Sequence, residues 1–192
     1  MILIRSDIEL GSSQSSIESI EQIYLHLNKL RASCFAQVYE ESVYIICEDQ
    51  DDYFKICMEL ILVLNKLNLN AKLYISHSNE VIDLNSLEIA TTSYQIFKLN
   101  EAARKQYLKT RSFKRNEHYL IRAHHPMLDS ILYSLSQMCF KHNQNIELLY
   151  DKYYNRLTQS QVAERHGLSQ VAVSKKLKSN NYEMFKLLVS RL

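Results

Sequence analysis

Short apolar runs and helical spacings of apolar residues alternate along the first part of the chain. Runs rich in Val, Ile, Tyr and Cys are typical of strands, and apolar residues three or four positions apart indicate helices with one buried face. The predicted elements are a strand over 2–7, a helix over 17–30, strands over 33–39 and 42–47 separated by Glu40-Glu41, a helix over 51–67 and a strand over 71–76. The order β-α-β-β-α-β predicts a ferredoxin-like domain.

The second part of the chain has mainly helical spacing. A long helix is predicted from Leu84 to about Leu108, a strand over 117–122, and helices from Pro126, over 146–154 and from Tyr182. Proline suits the first turn of a helix because the missing N–H has no helical partner there. We therefore expect an α+β fold, with a ferredoxin-like (βαββαβ) domain over 1–115 for dimerisation or sensing and an all-α domain over 126–192.

Residues 157–178, LTQSQVAERHGLSQVAVSKKLK, have the pattern of two short helices joined by a glycine turn. Thr158 suits the N-cap of the first helix, Gly167 suits a left-handed end, and Ser169 suits the N-cap of the second. The apolar positions expected to pack between the helices are Val162, Ala163, Leu168, Val173 and Leu177. The pattern predicts a helix-turn-helix that presents its second helix to the DNA major groove.

Polar residues of this motif are the candidate DNA contacts. The residues expected to face bases are Ser169, Gln170, Val171, Ser174 and Lys175, and those expected to face phosphates are Thr158, Gln159 and Lys178. Gln170 has the two-pronged geometry for an adenine edge, and Lys175 can reach a guanine or a phosphate. His166 and Lys176 stand where such motifs usually have an apolar residue, so either the packing is looser there or neighbouring segments cover these sites.

Charge is unevenly distributed along the chain. Residues 1–98 contain 7 Lys and Arg against 14 Asp and Glu, whereas residues 99–192 contain 16 against 7. Six positive charges and no negative one fall within 104–115. A basic back half joined to an acidic front half indicates two separate tasks, the second with a polyanion such as double-stranded DNA.

Other chemistry has little support in the residues. The four cysteines have no C-x-x-C spacing and stand in apolar contexts, so we expect buried reduced thiols. The adjacent pair His124-His125, with His118 and His142, lacks a complete ligand set, and the glycines, Gly11 and Gly167, form no phosphate loop. We expect no catalytic residues, no metal and no cofactor. No apolar run reaches the ~18 residues of a membrane span and no leader pattern opens the chain, so we expect a cytoplasmic protein without a membrane partner.

Two resemblances to known families add to this picture. The C-terminal stretch SQVAVSKKLKSNNYEMF, with Thr158-Gln159, resembles the C-terminus of SatD-family proteins, which also begin with a short strand ending in Asp. This resemblance implies a regulatory or DNA-binding role. The front half resembles the palm domain of nucleotide cyclases, where a strand-end Asp and a hairpin acid hold two metal ions. Asp7 and Glu40 or Glu41 match those positions, but the hairpin glycine is missing, which implies a degenerate, non-catalytic domain.

These patterns predict a sequence-specific DNA-binding transcriptional regulator that acts through residues 157–178 as a homodimer. The first alternative is a cyclase-like nucleotide-processing enzyme that binds metal at Asp7 and at Glu40 or Glu41 and carries a DNA-binding appendage. The second is an adaptor whose C-terminal helices bind other proteins. The operator, the direction of regulation and any small-molecule or protein effector are left open by the sequence.

Overall fold

The computed structural model describes residues 1–9, 23, 25, 34–40, 42–48, 52–67, 69–85, 87–89, 93–109, 119–140 and 143–192. The strands are β1 (Ile2–Glu9), β2 (Phe35–Tyr39), β3 (Ser42–Cys47), β4 (Asn70–His77) and β5 (Tyr119–Ala123). The helices with described bounds are α1 (Tyr53–Lys66), α2 (Gln95–Lys109), α3 (Pro126–Phe140), α4 (Asn143–Tyr153), α5 (Gln159–Arg165), α6 (Gln170–Ser179) and α7 (Tyr182–Val189).

The described strands form one five-stranded sheet in the order β2-β3-β1-β4-β5. Strand β1 lies at the centre and pairs antiparallel with both β3 and β4. Strand β2 pairs antiparallel with β3, and β5 pairs parallel with β4. The fold is therefore a mixed α+β fold, with the first strand of the chain in the middle of the sheet.

The two faces of β1 are buried in different clusters because successive side chains of a strand point to opposite faces. Ile2, Ile4 and Ile8 belong to the larger cluster, which contains α1 and the C-terminal helices. Leu3 belongs to a smaller cluster with α2 and the segment that precedes it. Both faces of the central strand are thus covered by helices.

The segment before α2 corrects one expectation. Helix α2 begins at Gln95 and not near Leu84. The carboxylate of Glu80 accepts the backbone N–H groups of Gln95, at 2.8 Å, and of Ile96, at 2.9 Å, so it caps the helix from a position 15 residues upstream of Gln95. These hydrogen bonds lower the pKa of Glu80, and the bond from Gln95 has the largest effect. Leu84 packs against the smaller cluster outside any helix.

The four-stranded ferredoxin-like order is not confirmed. The sheet has a fifth strand, because β5 hydrogen-bonds to the open side of β4 and α3 packs on β5. The helix expected over 17–30 lies outside the described residues except for Ile23 and Leu25. The division into 1–115 and 126–192 stays a prediction, and β5 lies between these two ranges.

The C-terminal helices share the larger cluster with the sheet. Phe185 of α7 is fully buried, and its ring centroid lies 6.3 Å from that of Phe54 in α1 and 5.5 Å from that of Tyr153 in α4. Helix α3 brings Leu132, Leu135 and Cys139 into the same cluster. The helix pair α5–α6 therefore stands on helices that are packed against the sheet.

Within the part of the chain that the structure describes, no helix combines the length and the apolar character needed to cross a bilayer.

We predict that Phe185→Ala lowers the free energy of unfolding by about 3–5 kcal/mol, because it removes a buried ring from the contact between α7, α4 and α1. Urea unfolding followed by circular dichroism measures this loss. Met127→Ala is the control, since Met127 is an apolar residue of α3 that is 68% exposed. Similar, small losses in both variants would contradict the packing described here.

Candidate nucleic-acid interface

The turn between α5 and α6 is a helix end that glycine makes possible. Gly167 has a φ of +62°, which is the left-handed region that a side chain disfavours. The N–H of Leu168 donates to the carbonyl of Ala163 at 2.8 Å, and the N–H of Gly167 donates to that of Glu164 at 3.3 Å. This pair of bonds is a Schellman motif, which satisfies the last carbonyls of α5 and sends the chain into α6. The predicted glycine turn is confirmed.

Both helices begin at side-chain caps, as predicted. Thr158 Oγ1 accepts the N–H of Gln161 at 3.2 Å, and Gln161 Oε1 accepts the N–H of Thr158 at 2.9 Å, so α5 starts with a full capping box. Ser169 Oγ accepts the N–H of Ala172 at 3.1 Å at the start of α6. These bonds place Thr158 and Ser169 at fixed positions, and both residues remain exposed.

The contact between α5 and α6 is apolar and closely packed. Val162 and Val173 are fully buried, while Ala163 and Leu177 are 5% and 4% exposed. Leu168 is half-buried and packs against the same cluster. The small side chain of Ala163 suits the close approach of the two helices. All five predicted packing residues thus occupy the expected positions.

The opposite face of α6 is polar and open to solvent. Its exposed side chains are Gln170, Val171, Ser174, Lys175, Lys178 and Ser179. Val171 is the apolar member of this face and is 65% exposed. Helix α6 contains three lysines and no acidic residue. Because Val173 and Leu177 fix the rotation of the helix, the predicted base-facing residues lie together on one surface.

A cleft of about 440 Å³ joins this surface to the start of α5. Gln159, Ser174 and Lys178 line it together with Lys152 of α4. The ammonium group of Lys152 donates to the carbonyl of Leu157 at 2.8 Å and so holds the segment that leads into α5. The structure thus brings Gln159, Ser174 and Lys178 to the same cleft, although they come from two helices.

A buried carboxylate explains why His166 stands in an apolar position. Asp151 of α4 is 4% exposed, and its Oδ2 lies 2.8 Å from Nε2 of His166. Its Oδ1 accepts from Arg165 at 2.9 Å and from Asn155 at 2.7 Å. Because a carboxylate only accepts hydrogen bonds, Nε2 of His166 is the donor in this contact. The end of α5 is thus attached to α4, because Arg165 and His166 both bind Asp151.

Tyrosines in α4 and directly after it attach this helix to α1 and to the residue before α1. The hydroxyl of Tyr154 donates to Asp52 at 3.3 Å, and that of Tyr150 donates to Glu59 of α1. Burial raises the pKa of both tyrosines, so their hydroxyl groups keep the protons that they donate. The ring centroids of Tyr150 and Tyr154 lie 5.2 Å apart. These residues thus pack between helices.

Asp7, the candidate metal ligand of the alternative enzyme hypothesis, lies in a network of ion pairs. Its Oδ1 is 2.8 Å from Nε of Arg5, and its Oδ2 is 2.5 Å from Nε of Arg104. Ser42 donates a further hydrogen bond to Oδ1 at 3.0 Å. The hydrogen bond to Asp7 raises the pKa of Arg104. Glu101 shares both guanidinium groups, at 2.8 Å from Arg5 and 3.5 Å from Arg104, so two arginines balance two carboxylates and occupy the oxygens of Asp7.

The remaining metal candidates are described only in part. Glu40 is an exposed residue in the turn between β2 and β3, and Glu41 lies outside the described residues. His124 and His125 are exposed, whereas His118 and His142 also lie outside the described residues. Among the side chains that are described, no three His, Cys, Asp or Glu residues form a group able to hold a metal ion.

Comparisons of the chain with protein-family models, with curated proteins and with solved structures found no match. The resemblances to SatD-family proteins and to cyclase palm domains therefore stay predictions from the residues.

Sequence reasoning did not find the Asp151 network. The available signal was His166, a polar residue at a position where helix-turn-helix motifs usually have an apolar one. A buried imidazole requires a hydrogen-bond partner, so this residue indicated that a partner lies nearby. Asp151 lies 15 residues earlier, in a different helix, so no helical spacing connects the two. The contact between Asp7 and Arg104 was missed for the same reason, because the two residues are 97 positions apart.

We predict that Asp151→Ala destabilises the protein by about 2–3 kcal/mol, because it leaves His166 and Asn155 without their buried acceptor. Chemical unfolding measures the change in the free energy of unfolding. Glu147→Ala serves as the control: Glu147 lies on the same helix, its side chain is 42% exposed, and it is 3.9 Å from His166. Equal, small effects of the two substitutions would show that Asp151 does not hold the helix pair.

Proposed function

We propose that the protein is a sequence-specific DNA-binding transcriptional regulator that reads the major groove with α6. The observation that carries this proposal is the exposed face of α6, which presents Gln170, Ser174 and Lys175 without an acidic neighbour on the helix. This face is fixed from behind by Val173 and Leu177, which are buried against α5 and the larger cluster.

The shape of the helix supports this assignment. An α-helix with its side chains is about 10–12 Å wide, which fits the ~12 Å major groove of B-DNA. Residues at the start of such a helix reach the base edges. Gln170 is the first residue of α6, and it has the amide geometry for a two-pronged contact with adenine. Val171, exposed beside it, suits the methyl group of thymine.

Phosphate contacts follow from the polar residues around α6. Thr158 is exposed at the start of α5, and Gln159 and Lys178 line the cleft next to it. Contacts of this kind set the register of the protein on the duplex, while the base contacts select the sequence. The excess of positive charge in residues 99–192 adds a general attraction to DNA that weakens as salt rises.

We propose that two copies bind together. One such helix reads a short half-site, and a dimer that spans two half-sites ~34 Å apart increases both affinity and specificity. Met184 and Leu187 of α7 are 48% and 50% exposed and offer an apolar surface for pairing, with the front domain as the other candidate.

We predict that Lys175→Ala weakens binding to double-stranded DNA and lowers the slope of log K against log salt by about 0.9, because one phosphate-neutralising charge is lost. Fluorescence anisotropy with a labelled duplex at several salt concentrations measures both quantities. Lys98→Ala is the charge-matched control, since Lys98 is exposed on α2, beyond the opposite face of the sheet. If Lys175→Ala binds DNA as tightly as the wild type, or if both variants lose the same affinity, α6 is not part of the interface.

We predict a different effect for Gln170→Ala. This substitution should relax the preference at one base pair by about 1–3 kcal/mol while leaving non-specific binding nearly unchanged, because a base contact is lost and no charge is removed. Competition between duplexes that carry each base pair at each position of the bound site measures the preference. Gln95→Ala, an exposed glutamine at the start of α2, is the matched control. An unchanged preference would mean that Gln170 does not face a base.

A further inference from the structure

Two cysteines meet at the open end of the β2–β3 hairpin. Cys34 immediately precedes β2, and Cys47 is the last residue of β3. The Sγ atoms of the two residues lie 3.5 Å apart. Both thiols are reduced and buried, with exposed fractions of 5% and 1%.

The strand register accounts for this contact. Phe35 pairs with Ile46 and Ala36 pairs with Ile45, so one further step places residue 34 opposite residue 47. Directly opposed residues of antiparallel strands have Cα atoms about 4.5–5.5 Å apart. This distance lies within the range of about 4.4–6.8 Å found for disulfides. The strand register therefore gives the pair the backbone spacing that a disulfide needs.

We propose that Cys34 and Cys47 form a reversible disulfide when the protein meets a peroxide. This site is independent of the proposed binding of DNA.

The reaction balances with hydrogen peroxide as the oxidant. One cysteine loses its proton, and its thiolate attacks an oxygen of hydrogen peroxide, so that the O–O bond breaks. This sulfur becomes a sulfenic acid, and the leaving oxygen takes up the thiol proton and departs as water. The second sulfur then attacks the sulfenic sulfur, the S–S bond forms, and the departing hydroxyl group leaves as water with the proton of the second thiol. Two thiols and one hydrogen peroxide thus give one disulfide and two waters.

The position of β2 gives the oxidant a route to the buried pair. In the described sheet β2 is an edge strand that is hydrogen-bonded to β3 alone. Edge strands open locally more easily than central strands, because fewer hydrogen bonds and contacts have to break. Cys57 and Cys139 lie inside α1 and α3, and burial raises the pKa of both thiols. The hairpin end is therefore the place where oxidation forms a bond between neighbours.

The test treats the full chain with increasing hydrogen peroxide. Remaining thiols are then blocked with N-ethylmaleimide in denaturant, and the chain is cut with a protease that cleaves after glutamate. Cleavage after Glu40 and Glu41 separates Cys34 from Cys47, so a disulfide keeps the two peptides joined in the mass spectrum. We expect this linked pair, its release by dithiothreitol, and alkylated Cys57 and Cys139. The unfolding temperature of the oxidised protein should also rise and return on reduction, because the disulfide restricts the unfolded chain.

Met127 reports whether the oxidant acted, because it is 68% exposed. Alkylated Cys34 and Cys47 at peroxide concentrations that convert Met127 to its sulfoxide would overturn the proposal. Linkage of either residue to Cys57 or Cys139 in equal amount would overturn it as well. Cys34→Ala and Cys47→Ala should each abolish the linked peptides, whereas Cys139→Ala should keep them. The wild-type measurement decides the question even if a variant fails to fold.

Discussion

Burial of both faces of β1 is the constraint on which the rest of the structure depends. Ile2 and Ile4 point to one side of the sheet and Leu3 points to the other, and all three are excluded from solvent. One side is covered by α2 and the segment before it, and the other side is covered by α1 and the C-terminal helices. Burial of this much apolar surface is the main favourable term in folding. The C-terminal helices are therefore part of the core that the first strand requires.

The proposed function uses this packing as a support. Phe185 joins α7 to α1, and Asp151 joins α4 to the end of α5, so the helix pair has few ways to move relative to the sheet. A recognition helix has to present its side chains in a fixed orientation, because base contacts lose their selectivity when the groups that make them are loosely held. The polar residues of α6 are the part of the helix pair that this packing leaves exposed.

Local chemistry explains which features were predictable from the sequence. The caps at Thr158 and Ser169 and the left-handed Gly167 depend on residues within a few positions, so the residue pattern is sufficient to place them. The start of α2 depends on its cap by Glu80, and the role of Asp7 depends on its ion pair with Arg104. Only the tertiary fold creates these two contacts. Strand β5 was predicted as an element, but its parallel pairing with β4 requires a crossover through α2, which lies between the two strands in the chain and packs on both.

Selection of random duplex DNA by the full chain at about 150 mM salt tests most directly whether α6 reads base sequence. We expect a short enriched site built from two related halves about 34 Å apart, as a dimer of such helices requires. An unselected pool, with binding that only fades as salt rises, would contradict sequence-specific recognition and leave a basic surface without base readout. Failure to bind DNA at all would favour the alternative in which the exposed face of α6 contacts a protein partner.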